Sequence, residues 1–478
     1  MIMRNLIVYI LAGLSLCAGS CYKDKGNYGY NSPAKPVVTG LDSVYPAIVG
    51  DSLIIAPTIT IASKAKLGYE WRIMVGGDSL RTDYYYSPQL RILFALSAQL
   101  YAARLTVIDS SNGMKYFFPF LIQGSTIYSN GYVILSQGNG TSQLSFATPN
   151  GTIQPGIYSA INKTELPPNG QQIVGTYHKY INNGMLFNYW VLCSQGDNPG
   201  VELDPNSLQK VRTLKDNFFN PPAAIAPGYF VNNDNNATMF GVLNGQLWAG
   251  AFQTSPFSPV YDQFSLPATG SYQIFNKAII NPNAGPGIFL GYEVNKRQIV
   301  AFTNYGSLGY AGTGYQKIDT AWDPTNIGLD VLDFEQPDGF NGYVFGRNAH
   351  DSVYEYCFTA TPAGPVMLTT LYKRPFPRQD LIKPDTKWIG SKFNVFYFTS
   401  GATVYMYNPV NEEIRALGTD FGGKSISMLK ISADGNTLTT GIDGSVLMLD
   451  VSVGKNGQIL KRIDNIPGSP VDVYQRIK

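Results

Sequence analysis

The stretch NGYVILSQGNGTSQLSF, residues 130–146, consists of an apolar strand, a turn rich in Gly and Asn, and a second strand. Stretches of the same design recur six more times, starting near residues 185, 237, 285, 340, 392 and 435. Their spacing of about 40 to 60 residues is close to the length of one four-stranded propeller blade. The repetition predicts a β-propeller over residues 125–478, with seven blades, or with six or eight as alternatives because the outer strands are not all recognisable. The alternative, two sandwiches of unrelated hairpins, does not require seven units of similar size.

The composition agrees with an all-β, exported protein. Charged residues make up 14% of the chain and aromatic residues 13%, whereas about 25% charged residues is usual. The 49 Gly and 30 Pro residues interrupt the chain at short intervals and leave little room for long helices. A net charge of +2 over 478 residues gives no electrostatic reason to expect a nucleic acid or an anionic membrane surface as partner.

The N-terminus has the layout of a bacterial lipoprotein signal. Arg4 supplies the positive charge, residues 6–16 form an apolar run, and small residues lead into Cys21. The apolar run is shorter than the ~20 residues that a membrane-spanning helix needs. We therefore expect a signal peptide at residues 1–20 and a mature chain that is lipid-anchored to the outer membrane through Cys21, facing the cell exterior.

Cys17 is the alternative anchor, but it would place the bulky Leu16 at the cleavage position. After the anchor, residues 21–35 are short and polar, which is typical of a tether. The other two cysteines, Cys193 and Cys357, lie in strand-like runs far apart in the chain. We expect them to be buried and unpaired.

Residues 36–124 have the rhythm of a small sandwich. The stretch DSLIIAPTITI alternates apolar and polar residues, and GYEWRI places Trp71 on a strand. About 90 residues with a buried Trp on a central strand is typical of an immunoglobulin-like domain. The stretch DYYYS in this domain predicts that Tyr85 is buried and Tyr84 and Tyr86 are exposed, or the reverse.

Three stretches carry a resemblance to a known family: CYKDKGNYGY at 21–30, GLDSVYPAIVGDSLIIAP at 40–57 and GYEWRI at 68–73. Together they resemble the PKD-like lipoproteins of Bacteroides-type bacteria. The resemblance implies an outer-membrane lipoprotein that works with a TonB-dependent SusC/SusD-like uptake pair and serves nutrient capture rather than catalysis. One departure is Gly29, where the family often has an acid, so that Asp24 is the acid left near the anchor.

Motifs for catalysis are scarce. The segment GTDFGGKS, residues 418–425, matches a phosphate-binding loop, but the following SISMLKIS alternates as a strand does and offers no helix N-terminus to an anion. His178 and His350 have no second ligand at metal spacing. We therefore predict no catalytic residues, no metal and no cofactor.

The stretch GLDVLDFE contains three acidic residues that a glycosidase would use in pairs. A strand would place the side chains of Asp330, Asp333 and Glu335 on differing faces, so the sequence does not predict a catalytic carboxylate pair.

Aromatic residues give a positive signal for binding. Tyr305, Tyr310 and Tyr315 lie in a Gly-rich connection, and Trp322 follows it. Loops run over the surface, and rigid rings offer stacking area to sugars and peptides. We predict that these four residues bind a ligand; the alternative is that they pack between blades.

The sequence therefore predicts a non-catalytic lipoprotein that captures a glycan or peptide nutrient or docks on a SusC/SusD-like complex. The alternative is a propeller-fold glycoside hydrolase or lyase whose carboxylates converge only in three dimensions. A third possibility is a purely structural partner without a ligand. A central cleft with clustered carboxylates would favour the enzyme, and an aromatic platform without them would favour binding.

Overall fold

The computed structural model describes residues 33–62, 66–76, 81–178, 186–233, 235–251, 262–281, 287–304 and 308–476. The chain divides into two compact units between Gly124 and Ser125. The predicted signal peptide, the lipid-anchor residue Cys21 and the start of the tether lie outside the described residues. No helix in the described ranges is long and apolar enough to cross a membrane.

Strands build the described part of the N-terminal unit. They are β1 Val37–Thr39, β2 Val44–Ile48, β3 Ser52–Ile55, β4 Thr58–Thr60, β5 Leu67–Met74, β6 Thr82–Tyr85, β7 Leu90–Leu93, β8 Leu100–Asp109 and β9 Lys115–Ser125. One five-stranded sheet has the order β2-β9-β8-β5-β6, and two smaller sheets pair β1 with β4 and β3 with β7. The apolar faces of these sheets pack on a common core, which gives a sandwich.

Trp71 lies at the centre of this core, as the sequence predicts. Its side chain is fully buried on β5, and its indole N–H donates to the carbonyl of Ser87 at 2.9 Å. Burial of the indole therefore leaves no unpaired donor. The five-stranded sheet presents its other face outward, with Arg72 following Trp71 in the alternation of the strand.

The C-terminal unit consists of seven successive sheets in its described residues, which we number as blades 1 to 7. Blade 1 contains β10 Gly131–Gly138, β11 Thr141–Ala147, β12 Ile153–Gln154 and the last strand of the chain, β37 Ser469–Arg476. Blade 2 contains β13 Gly170–Tyr177, β14 Leu186–Cys193, β15 Gly200–Leu203 and β16 Lys210–Thr213. Blade 3 contains β17 Pro227–Asn233, β18 Thr238–Leu243 and β19 Gln246–Ala249.

The remaining blades follow in the same way. Blade 4 contains β20 Ile279–Asn281, β21 Ile288–Glu293, β22 Gln298–Asn304 and β23 Leu308–Gly312. Blade 5 contains β24 Gln316–Thr320, β25 Asp330–Glu335, β26 Asn341–Arg347, β27 Val353–Thr361 and β28 Met367–Pro375, with β24 parallel to β28 on the outside. Blade 6 contains β29 Trp388–Ser391, β30 Val395–Ser400, β31 Thr403–Asn408 and β32 Glu413–Ala416. Blade 7 contains β33 Ile426–Ile431, β34 Thr437–Ile442, β35 Ser445–Asp450 and β36 Gln458–Asp464.

Helices are short in the described chain. One α-helix, α1 Ile157–Asn162, follows β12 and packs on β11. The 3₁₀ turns are Ile127–Ser129, Lys215–Asn217 and Gln379–Leu381. Apolar clusters lie between neighbouring blades, as expected when each sheet covers its apolar face with the next one.

The blades join into a ring through polar contacts between neighbours. The contacts, in blade order, are Ile173 N–H to Asp472 Oδ2 (2.7 Å), Gln172 Nε2 to Phe230 O (2.7 Å), Tyr229 N–H to Asn276 O (2.7 Å), Lys277 Nζ to Asp333 Oδ1 (3.1 Å), Gly390 N–H to Glu335 Oε1 (2.8 Å), Ile426 N–H to Gly401 O (3.3 Å) and Ser427 Oγ to Pro470 O (2.5 Å). In six of the seven contacts both partners lie on the first strand of a blade (β25 in blade 5), in the residues just before that strand, or on β37. These strands are therefore the innermost ones.

The last strand of the chain closes the ring. β37 pairs antiparallel with β10, so blade 1 combines strands from both ends of the unit. On its other side β37 approaches β13 so closely that a Cβ on Gly175 would lie 2.4 Å from the ring of Tyr474. Any larger residue at position 175 would therefore force the Tyr474 ring to move.

All seven predicted hairpins are confirmed, one in each blade. They form the second and third strands of each sheet, counted from the innermost strand, for example β10 with β11 and β34 with β35. The segment after GTDFGGKS is the strand β33 and not a helix, as predicted. Cys193 and Cys357 are buried and unpaired, also as predicted.

Candidate functional site

Charged and phenolic side chains from five blades meet at the centre of the ring. We call them the axial cluster; its members are Tyr229 on β17, Lys277 just before β20, Asp333 and Glu335 on β25, Lys430 on β33 and Asp472 on β37. The charges of Lys430, Lys277, Asp472 and Glu335 all act on the phenol of Tyr229. The innermost strands of five different blades share only the axis of the ring, so the cluster lies along that axis.

Lys277 binds two carboxylates at once. Its ammonium group lies 3.1 Å from Asp333 Oδ1 and 2.5 Å from Glu335 Oε2. The second oxygen of Glu335 accepts the N–H of Gly390. The second oxygen of Asp333 is buried, and within the described ranges it has no hydrogen-bond partner.

One cation between two buried carboxylates compensates only one negative charge. Burial raises the pKa of Asp333 to about 7, although Lys277 opposes the shift. For Glu335 burial acts in the same direction, but Lys277 and the Gly390 N–H outweigh it and hold the pKa of Glu335 below its usual value. Burial would lower the pKa of Lys277, and the two carboxylates raise it instead. Near neutral pH Glu335 therefore carries the charge, and Asp333 is the group that takes up a proton.

The other three members of the axial cluster, Asp472, Lys430 and Tyr229, differ in their solvent exposure. Asp472 is buried; Lys430 Nζ lies 2.7 Å from its Oδ1, and its Oδ2 accepts the N–H of Ile173. Lys430 keeps 37% of its side chain exposed and Tyr229 is 42% exposed. Surrounding protein nevertheless raises the pKa of Tyr229, with Lys430 and Lys277 opposing. Tyr229 is thus surrounded by protein but still accessible to water, as expected for a side chain that lines the centre of a propeller.

The predicted aromatic binding residues have a different environment. Tyr315 and Trp322 are 6% and 5% exposed, in the core between blades 4 and 5. The Tyr315 hydroxyl donates to the carbonyl of Ile299, and the Trp322 indole N–H donates to that of Cys357. The expectation that these two rings are exposed is therefore wrong, because the connection that carries them folds back into the gap between two apolar sheets.

The other two predicted residues add little to a platform. Tyr310 is half-buried and stacks on Tyr272, with 4.5 Å between the ring centroids. Tyr305 lies outside the described residues. The structure thus assembles three of the four residues around blades 4 and 5, but as packing groups and not as one exposed surface.

The acidic stretch on β25 also differs from expectation. Asp333 and Glu335 are two residues apart and share a face, so both reach Lys277, and a register shift between Val331 and Asp333 separates them from Asp330. Asp330 forms an ion pair with Arg297 instead. The i, i+2 spacing was the local signal for the shared face. No short-range sequence pattern indicates that Lys277, Lys430 and Asp472 lie close to Asp333 and Glu335.

His350 lies in an exposed turn, where its backbone N–H donates to Asn348 Oδ1 at 2.9 Å. No group of three or more potential metal ligands occurs in the portion of the chain that the structure describes.

Comparison with known proteins identifies the first unit. Residues 21–169 match the model of the PKD-like family. The N-terminal unit is a PKD-like domain. The match continues past Gly124 into blade 1. No curated protein matches the chain.

Several solved structures are similar to the chain at 12% identity. A quinonprotein alcohol dehydrogenase-like protein from Bacteroides thetaiotaomicron aligns over 92% of this chain and 99% of its own, with a TM-score of 0.44. A functionally unknown protein from Desulfotomaculum acetoxidans aligns over 71% and 98%, with a TM-score of 0.42. Dihydro-heme d1 dehydrogenase NirN aligns over 78% and 73%, with a TM-score of 0.40. The propeller assignment rests on the seven sheets and not on these similarities.

The three tyrosines of the PKD-like domain follow the first of the two predicted alternatives. Tyr84 and Tyr86 are 48% and 72% exposed, and Tyr85 packs against the core. Tyr84 lies on the edge strand β6, directly opposite Arg72 on β5.

Proposed function

We propose that the chain is a non-catalytic surface lipoprotein that captures a nutrient, either a glycan or a peptide, or docks on a SusC/SusD-like TonB-dependent uptake complex. Three features support this function: the axial cluster, the lipoprotein-like N-terminus ending at Cys21, and the match of residues 21–169 to the PKD-like family.

The pairing within the axial cluster is the observation that carries the proposal. Glu335 and Asp472 each bind a lysine and a backbone N–H, so their oxygens are committed to holding the ring together. The members with the most exposed side chains are Tyr229 and Lys430. A hydroxyl and an ammonium on partly exposed side chains suit a ligand rich in hydroxyl or carbonyl oxygens.

A binding screen tests this site. We would measure the thermal shift and the calorimetric affinity of the wild type with neutral oligosaccharides, uronic-acid oligosaccharides and short peptides. A ligand of the axis should lose affinity in Tyr229→Phe and Lys430→Gln, because each removes one accessible polar group. Lys317→Gln is the matched control, since Lys317 lies on β24 at the outside of blade 5. Equal affinity in the axial variants and the control would contradict the proposal.

The proposed location is the outer membrane, with the chain attached through the lipid on Cys21. The partner in this arrangement is a SusC/SusD-like complex. Co-purification of the transporter with the full chain from solubilised membranes tests the docking part, and its absence would leave capture as the function.

One observation favours a second candidate, a propeller-fold glycoside hydrolase or lyase. Asp333 has a raised pKa of about 7 and one oxygen without a described partner, properties that a general acid or base needs. Incubation with oligosaccharides should then release reducing ends or unsaturated products, and Asp333→Asn should abolish the release. Absence of turnover by the wild type would leave the binding function.

A further inference from the structure

Two arginines lie side by side on the outward face of the PKD-like domain. Arg72 on β5 is directly opposite Arg104 on β8, and Tyr84 and Pro119 continue the same row across β6 and β9. Phe117 lies in the next row, and the guanidinium of Arg104 covers its ring at 4.5 Å. We call Arg72, Arg104, Tyr84 and Phe117 the arginine face.

The domain balances the two charges on this face only in part, because one acid, Glu70, forms an ion pair with Arg104. Like charges directly opposite each other in a sheet are destabilising. Glu70 is the acid next to the pair, and it lies 3.8 Å from Arg104, too far for a hydrogen bond. In the described ranges, the Nε atoms of Arg72 and Arg104 are buried and have no hydrogen-bond partner.

Exposed rings flank the arginines. Tyr84 is 48% and Phe117 is 54% exposed, and Met74 on β5 is 40% exposed. Tyr, Phe, Met and Arg are the residue types enriched in protein interfaces, whereas Lys, Asp and Ser are depleted there. The apolar rim therefore fits a protein better than it fits a hydrated sugar chain.

We propose that the arginine face docks a partner protein that presents a carboxylate between apolar side chains. Two adjacent guanidinium groups bind a carboxylate through charge-assisted, bidentate hydrogen bonds. The carboxylate places a negative charge beside the guanidinium groups of Arg72 and Arg104 and reduces their mutual repulsion, while Tyr84 and Phe117 pack against the apolar side chains of the partner. This inference rests on the docking part of the proposed function and is independent of the axial cluster.

Binding of a random copolymer of glutamate and tyrosine to the full chain tests the proposal, with a copolymer of lysine and tyrosine as the counter-probe. The wild type should bind the first and not the second. The double variant Arg72→Gln with Arg104→Gln should bind the first at least about tenfold more weakly, since each arginine loses a charge-assisted contact. Arg91→Gln is the matched control; it removes the same charge from β7, in a different sheet.

Thermal unfolding separates docking from a structural role. Relief of the repulsion should leave the Tm of Arg72→Gln equal to that of the wild type or higher. Arg72→Lys keeps the charge but loses the planar fork, so it should still weaken binding of the copolymer. A lower Tm with unchanged binding, or no binding by the wild type, would overturn the proposal.

Stronger binding of a galacturonate oligomer than of the copolymer would also overturn it and assign the face to an anionic glycan. Tyr229→Phe and Lys430→Gln should leave copolymer binding unchanged. Loss of ligand binding in those axial variants alone would concern the proposed capture site and not the arginine face.

Discussion

Lys277 shows how one largely buried cation interacts with two carboxylates. Replacing it by Met leaves Asp333 and Glu335 buried without a counter-charge, and loss of one partner of a buried pair costs about 3–5 kcal/mol. Lys277→Met should lower the free energy of unfolding in urea by about that amount. Lys317→Met breaks an exposed pair with Asp323 and should cost less than about 1 kcal/mol. Similar losses in both variants would contradict a buried, charge-compensating role for Lys277.

Asp333 should make stability depend on pH near neutrality. The pKa of Asp333 is raised from 3.8 in the unfolded chain to about 7 by burial, so the folded state binds the proton more tightly. Its contribution to stability is therefore complete below about pH 4 and disappears as the pH rises through about 7. Asp333→Asn cannot ionise, and its stability relative to the wild type should increase between about pH 5 and about pH 8.

Asp323 supplies the control with the opposite sign. Lys317 and the hydrogen bonds from Thr325 lower the pKa of Asp323 to about 2. Its contribution is present above about pH 4 and is lost only as the pH falls further. Urea unfolding of Asp323→Asn at the same two pH values should show a constant difference from the wild type. A constant difference for Asp333→Asn as well would mean that Asp333 does not titrate in this range.

At the scale of the element, the strand β37 makes the contacts that close the ring of blades. It is the innermost strand of blade 1, pairs with β10, and brings Asp472 to Ile173 and Lys430 on the two neighbouring blades. A chain that ends at Ile466 lacks β37 and exposes the edge of β10, which is a template for aggregation. It should be insoluble, or should unfold without cooperativity in calorimetry.

A chain that ends at Arg476 keeps β37 and is the control; it should melt as the full chain does. A soluble chain without β37 that melts cooperatively would show that the blades do not need closure.

At the scale of the whole molecule, attachment to the membrane is predicted to depend on a single atom, the Cys21 sulfur. Cys21→Ala should leave the protein either in the aqueous phase in detergent partitioning or stalled in the inner membrane, because the predicted lipid acceptor is lost. Cys17→Ala should partition as the wild type does, since Cys17 is removed with the signal peptide. Loss of attachment in Cys17→Ala would make Cys17 the anchor.

The sequence by itself determined the all-β class, the seven hairpins and the buried Trp71, because these depend on short-range alternation and turn residues that can be read within about 20 residues. It also placed Tyr84 and Tyr86 on the opposite face from Tyr85, but it did not decide which of the two faces is buried. The burial of Trp322 could not be predicted in this way, because the sequence of a Gly-rich connection does not show whether the connection lies on the surface or fills a gap between sheets.

Only the tertiary structure decided the axial cluster. Its members are spread along the chain from Tyr229 to Asp472, and the local sequence around each of them gives no sign of a shared site. Their proximity arises because ring closure brings the innermost strand of every blade to one axis, whatever the separation along the chain. The same is true of the ring itself: β10 predicts a hairpin with β11, but its pairing with β37 depends on the closure of all seven blades.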